Sequence, residues 1–209
     1  MKLFKNYFSI LTILFVIAGF LIIMVYPKGT LELIINQKLT KPALDIFFKY
    51  FTYLGDGLML LILFIVFLFV KYRYCLMVIA TALFQTLLIH INKQFLFSGM
   101  PRPKVFLENY DLYFVEGVNV HGYNSFPSGH TATAFSIFFL LSIIVENKGL
   151  SVLFFVLAII IGFSRIYLMQ HFFADVYAGA IIGYISTLLA YYVAVNYGKS
   201  PKFEKRLIT

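Results

Sequence analysis

The residues from Phe8 to Tyr26, FSILTILFVIAGFLIIMVY, pass without a single charge. A helix crossing the hydrocarbon core of a bilayer needs roughly 20 mostly apolar residues, and a run of this kind leaves few soluble folds open to it. It follows lysines, as the apolar part of a secretory signal does. It is longer than such a segment, and no small-x-small cleavage pattern comes after it, so it is expected to form the first membrane span. The pattern recurs along the chain. Apolar runs separated by polar clusters predict spans near 8 to 26, 55 to 71, 74 to 91, 131 to 146, 150 to 168 and 176 to 195. The second is the shortest, with 14 residues between Asp56 and Lys71, and must use flanking aromatics or a snorkelling Lys71 to reach both surfaces. At 61% apolar and 12% charged, the 209 residues hold too little polar surface for a soluble domain of that length. The expectation is an all-α polytopic membrane protein, a single domain over residues 1–209.

The net charge of +8 does not point to nucleic acid, because the 17 Lys and Arg are scattered between apolar runs and form no continuous basic stripe. An anionic membrane surface is the better partner. With a cytoplasmic N-terminus, the inner segments carry Lys2, Lys5, Lys71, Arg73, Lys148, Lys199, Lys202, Lys205 and Arg206 against Glu146 and Glu204, whereas acidic residues nearly balance basic ones outside. That asymmetry obeys the positive-inside rule and places both termini in the cytoplasm. The single cysteine, Cys75, excludes an intramolecular disulfide framework, and no Cys/His cluster has zinc-ligand spacing.

Two outer segments are long. In the first, Leu44, Phe47, Phe48 and Phe51 repeat at helical spacing, Lys41, Asp45 and Lys49 take another face, and Pro42 suits a first helical turn. This predicts an amphipathic helix lying at the outer interface, as scaffold rather than substrate contact. The second segment, from Asn92 to His130, is too long for a turn, and loops of that length are usually functional or disordered. Its Glu108, Asp111, Glu116 and His121 read as solvated loop residues, and His90 as a packed or interfacial histidine.

Under this topology three polar stretches emerge on the outer face: KQFLFSGMPRP (93–103), FPSGH (126–130) and SRIYLMQHFFAD (164–175). In the second, Pro127 ends the loop, Ser128 can cap a new helix, and Gly129 lets a ligand approach the backbone. Free amides at a helix N-terminus bind anions such as phosphate, and His130 sits in the first turn beside them. Taken alone, this is also an ordinary helix start with an incidental histidine. In the third, His171 and Asp175 are spaced to meet whether the backbone is helical or turns. A carboxylate holding one imidazole N–H fixes the tautomer and frees the other nitrogen to attack. A salt bridge between Arg165 and Asp175 is the plainer alternative. The first stretch offers Lys93, a point charge, and Arg102, a planar fork for phosphate oxygens stiffened by Pro101 and Pro103.

PSGH followed by SR-x5-H-x3-D resembles the second and third signature motifs of the type 2 phosphatidic acid phosphatase (PAP2) superfamily, integral-membrane lipid phosphatases related in their site to vanadium haloperoxidases. Both motifs match at every fixed position. The family's first motif places six residues between Lys and Arg-Pro, whereas eight separate Lys93 from Arg102 here, which reads as a two-residue insertion with Lys93 still in the site. The resemblance implies phosphoryl transfer without metal or cofactor. His171, oriented by Asp175, would attack phosphorus and form a phosphohistidine while His130 protonates the leaving oxygen. Water, activated by His130, would then hydrolyse the intermediate. Lys93, Arg102, Arg165 and the backbone near Ser128 and Gly129 would hold the phosphate oxygens. Two histidines in different protonation states imply a bell-shaped rate profile. The implied substrate is a phosphorylated lipid of the outer leaflet of a bacterial-type inner membrane: undecaprenyl pyrophosphate, phosphatidylglycerophosphate, phosphatidic acid or a lipid A phosphate. A phosphotransferase, or a lipid-binding or transport protein that does not turn over, are the alternatives.

Overall fold

The computed structural model describes residues 6–207, among which there are nine α-helices and no strand. Lys2 and Lys5, counted above with the inner basic residues, lie outside the described part. Helix α1 (Tyr7–Val25) is followed by α2 (Thr30–Lys38) and α3 (Pro42–Phe51), which a 3-10 turn carries to Gly55. Then come α4 (Leu58–Leu68), α5 (Tyr72–Ile91) with a π-helical turn over Asn92–Leu96, the short α6 (Pro103–Phe106), α7 (Gly129–Val145), α8 (Lys148–Tyr167) and α9 (Phe173–Tyr197). The expected starts are where local chemistry puts them. Asn6 accepts the Phe8 N–H, Pro42 opens α3, Ser128 caps α7 and Asn147 accepts the Leu150 N–H at the head of α8.

Helix α7 is the axis of the bundle. Eleven of its 17 residues are buried, and Phe135 and Phe139 pack on Phe8 of α1, Ala158 and Ile161 of α8, and Ala180 and Tyr184 of α9. Its seam with α9 is closed by small residues. A Cβ added at Gly183 would sit 2.2 Å from the Ala132 carbonyl oxygen, and one at Gly179 would sit 2.5 Å from that of Ser128. Backbones that close allow packing without a hydrophobic driving force between lipid-bathed helices. Gly183→Ala is therefore expected to lower the thermal unfolding midpoint in detergent by about 2–10 °C. An unchanged midpoint would show that the seam can open at no cost. Polar side chains add a second clamp across α5, α7 and α9: Gln85 donates to Thr133 (2.8 Å), Ser136 donates to Gln85 (2.8 Å), and Thr187 donates to the Ser136 carbonyl (3.2 Å).

The outside of the bundle is apolar. On α1 alone, Leu14, Ile17, Phe20, Leu21, Met24 and Val25 are each more than half exposed. An uninterrupted apolar belt of that kind suits lipid rather than water. Helix α1, α5 with its π turn, α8 and α9 are each long and apolar enough to cross a membrane. Helices α3 and α4 qualify only as a pair, bent by 56°, and α7 at 17 residues is shorter.

Two features depart from the sequence reading. The segment before α3 forms a helix, α2, which the pattern did not reveal because its Glu32 and Asn36 are buried polar residues. Asp45, expected on the polar face of α3, is also buried, accepting hydrogen bonds from the hydroxyls of Tyr113 (2.7 Å) and Tyr167 (2.5 Å), while Phe47 is left 44% exposed. Two hydroxyl donors satisfy the carboxylate, which removes the penalty that burial would otherwise impose.

Candidate active site

The break between α3 and α4, the π turn after α5, the long loop, the start of α7 and the exit from α8 meet at one end of the bundle around a cavity of about 420 Å³. Lys93, Arg102, Gly129, His130, Arg165 and His171 all line it. Three stretches separated by up to 60 residues in the sequence thus share one hollow, of a volume suited to a small polar group.

His171 follows a tight exit from α8. Met169 takes φ 55°, and the N–H groups of Gln170 and His171 both return to the Arg165 carbonyl, turning the chain back toward α9. The His171 Nδ1 lies 3.3 Å from Asp175 Oδ2, which leaves Nε2 as the nitrogen without that partner. Asp175 is itself fixed, accepting from the Ser125 hydroxyl and, at 2.9 Å, from the Phe172 N–H as half of a capping box on α9. The next amide, Phe173 N–H, donates to buried Glu32 (2.7 Å), so α2 braces the same helix start from the far side. Burial pushes the Glu32 carboxyl above its usual range. Burial also pushes the His171 imidazolium down to about 3, with Arg102 and Arg165 adding to the effect and the Asp175 carboxylate opposing it. The ring is therefore neutral at physiological pH, which is the form that can attack an electrophile.

The cations are held differently from one another. Arg102 donates Nε to the Tyr123 carbonyl (2.9 Å), Nη1 to both oxygens of Gln170 (3.0 Å each) and Nη2 to the Asn124 carbonyl at 3.5 Å. It is a charge locked in place, with little donor capacity to spare, and burial lowers its pKa from the usual value. Arg165 is 7% exposed; Nη1 donates to Thr52 (2.8 Å), but Nε has no hydrogen-bond partner among the described residues. Arg165 also lines the cavity, and a guanidinium there is suited to an oxyanion. Arg165 is tied to Thr52, on the turn after α3, in place of the salt bridge with Asp175 that the sequence left open.

Lys93 reaches the cavity from the π turn of α5, its Nζ donating to the Asn124 carbonyl (2.9 Å). The wider π turn, with Phe97 N–H reaching back to the Asn92 carbonyl (2.8 Å), takes up extra chain before Arg102. At the head of α7, Ser128 Oγ accepts from Thr131, and the Ser128 N–H is occupied by the Asp175 carbonyl (3.0 Å). The ligand-facing backbone is then that of Gly129 and His130. A Cβ at Gly129 would meet nothing within 4 Å, so its open side faces the cavity.

Sequence reasoning missed several lining groups. Thr52, Tyr53 and Asp56 come from the α3–α4 break, and Asn119, His121 and Gln170 close the rim. His121, read as a solvated loop residue, is exposed but sits on the cavity wall. His90 instead packs edge-on against Phe95 and lines an adjoining hollow. The bend at Gly55 brings the first three inward, and the long loop and the exit from α8 supply the others; none of these leaves a sequence signal stronger than a glycine.

An apolar helical bundle with three cations and two imidazoles around one end cavity has the chemistry of a membrane protein suited to an anion. Comparison with known proteins makes the class specific: the profile of the PAP2 superfamily matches residues 70–199, and the chain belongs to that superfamily. The crystal structure of Aquifex aeolicus LpxE superposes with a TM-score of 0.70 at 33% identity, covering 81% of this chain and 98% of that one. Among curated proteins, the bacitracin transport permease protein BcrC of Bacillus licheniformis is 44% identical over 71 residues. The lipid A 4'-phosphatase of Bacteroides thetaiotaomicron is 34% identical over 83 residues. The matched parts span about a third of the length of each curated relative, 34% and 36%.

Proposed function

We propose that this chain is a lipid phosphatase that works at the outer rim of the membrane through a phosphohistidine. The observation behind this reading is that a neutral, aspartate-held His171 and Arg165, whose buried Nε has no hydrogen-bond partner among the described residues, line the same cavity. One relative bears a phosphatase name and another a transport name. Binding or transport would need the cations alone, so the oriented histidine favours the phosphatase.

In the proposed reaction, Lys93, Arg102, Arg165 and the backbone of Gly129 and His130 neutralise the phosphate oxygens, with Ser128 fixing the helix start that presents them. His171 Nε2 attacks phosphorus as the bond to the leaving oxygen breaks, and His130 gives that oxygen a proton. Water then attacks the phosphohistidine, losing a proton to His130 and releasing phosphate and free His171. No metal or cofactor takes part in this scheme.

We assign six spans, α1, α4, α5, α7, α8 and α9, with α3 lying along the outer interface, both termini cytoplasmic and the cavity facing the periplasm or cell exterior. The 56° bend between α3 and α4 and the basic inner segments support this placement. The substrate is then a phosphorylated or pyrophosphorylated lipid of the outer leaflet, of the undecaprenyl pyrophosphate, phosphatidylglycerophosphate, phosphatidic acid or lipid A class.

Purified protein incubated with a panel of these labelled lipids tests the reading. Free phosphate supports a hydrolase, label on a second acceptor indicates a phosphotransferase, and lipid retained without turnover indicates a binding protein. Arg165→Lys keeps the charge but loses the planar fork and the Nε donor, and is expected to reduce kcat about 100- to 1000-fold. A variant within about threefold of the parent would show that Arg165 contributes charge only.

A further inference from the structure

The proposed acid, His130, stands in a cationic hollow. The charged groups that face it are Arg165 from α8, Arg102 from the long loop, Lys93 from the π turn and a single carboxylate, Asp56. Burial and three positive charges oppose the imidazolium that a general acid needs, and one negative charge supports it.

Asp56 is placed by the backbone rather than by chance. It lies at the break between the 3-10 turn and α4, where its Oδ1 accepts the Leu58 N–H (2.9 Å) and caps the new helix. That bond fixes the carboxylate and leaves Oδ2 3.8 Å from His130 Nε2. The preceding residue has to be glycine for the break to come so near. A Cβ at Gly55 would lie 2.7 Å from the His130 carbonyl oxygen and 2.6 Å from Ile161 Cγ2. Asp56 also lines the same cavity as His171 and Arg165. A carboxylate on the wall of an anion site repels the ligand unless it faces a cation of its own.

Building on the phosphatase reading above, we propose that Asp56 is a positioning residue for His130, an anion at Nε2 that favours the protonated ring against burial and the three cations and directs Nδ1–H to the leaving oxygen. The site then holds two histidine–aspartate pairs with opposite tasks. Buried Asp175 fixes a neutral His171 for attack, and exposed Asp56 sustains a charged His130 for proton donation. As the P–O bond breaks, the Nδ1 proton moves to the departing oxygen, and the imidazole left behind is neutral and ready to act as base toward water.

Asp56→Asn separates this role from capping, because asparagine caps a helix as well as aspartate does. The test compares kcat/KM for dodecyl phosphate, whose leaving alkoxide needs a proton, with that for 4-nitrophenyl phosphate, whose leaving group does not. The variant is expected to lose about 10- to 100-fold on the alkyl ester and less than about threefold on the aryl ester. The alkaline limb of its alkyl-ester profile should also move to lower pH, since removing a neighbouring anion lets the imidazolium lose its proton sooner. Equal losses on both esters, or an unmoved limb, would overturn the assignment to Asp56 while leaving the phosphatase intact. A parent protein that releases phosphate from neither ester nor from any lipid of the panel would overturn both.

Discussion

His171→Ala is expected to abolish phosphate release, with kcat reduced by at least about a thousandfold. The reason is specific to this ring. Its Nδ1 is held by Asp175 at 3.3 Å, and burial with two nearby arginines keeps it unprotonated down to about pH 3. His130, whose carboxylate neighbour is the exposed Asp56 at 3.8 Å, is assigned to proton transfer and does not substitute. The measurement is single-turnover phosphate release together with acid-labile incorporation of labelled phosphate into protein. The parent should show a phosphorylated species and the variant none. Labelling retained in the variant would overturn His171 as the attacking group. Because the folded ring resists a proton that the unfolded chain binds near 6.5, its burial costs stability as pH falls from about 6.5 toward 3. Assays of the parent, which alone carries this ring, therefore belong above that window.

His130→Ala should be the second most damaging change, lowering kcat/KM on alkyl phosphates about 100- to 10,000-fold, the range for loss of a positioned general acid. The parent profile should be bell-shaped, and its alkaline limb, reporting loss of the His130 proton, should vanish in the variant. The acid limb cannot come from His171, which is still neutral there, and falls to other groups such as the substrate phosphate. A variant that keeps the alkaline limb would show that another group supplies the proton. His121→Ala and His90→Ala serve as comparators; His121 lies on the exposed rim and His90 packs beside Phe95, and neither is asked to move a proton.

Much of this was readable in the chain itself. The Phe8–Tyr26 run, the PSGH start and the SR-x5-H-x3-D spacing act over a few residues: a helix satisfies its own backbone in lipid, a serine caps the turn that follows it, and a carboxylate meets a histidine four positions before it. Helix α7 begins at Gly129 and α9 at Phe173 as those local rules require. Other features depend on partners far away in sequence. Asp45 looked like a surface charge until Tyr113 and Tyr167 enclosed it, and Glu32, on a helix that the pattern did not reveal, accepts the Phe173 amide. Lys93 seemed displaced by two residues, yet the π turn it sits on delivers it to the cavity.

The sequence by itself determined that the chain is helical and apolar enough for a membrane, and which residues have the chemistry to grip and cleave a phosphate ester. Only the tertiary structure decided that those residues share one cavity, that Arg102 is locked while the buried Nε of Arg165 has no partner among the described residues, and that Asp56 comes to lie beside His130. The physical reason is range. Hydrophobic periodicity and capping are fixed by neighbours a turn away, whereas a carboxylate 3.8 Å from an imidazole 74 positions later is set by how closely a glycine in the bend lets it pack against the head of α7.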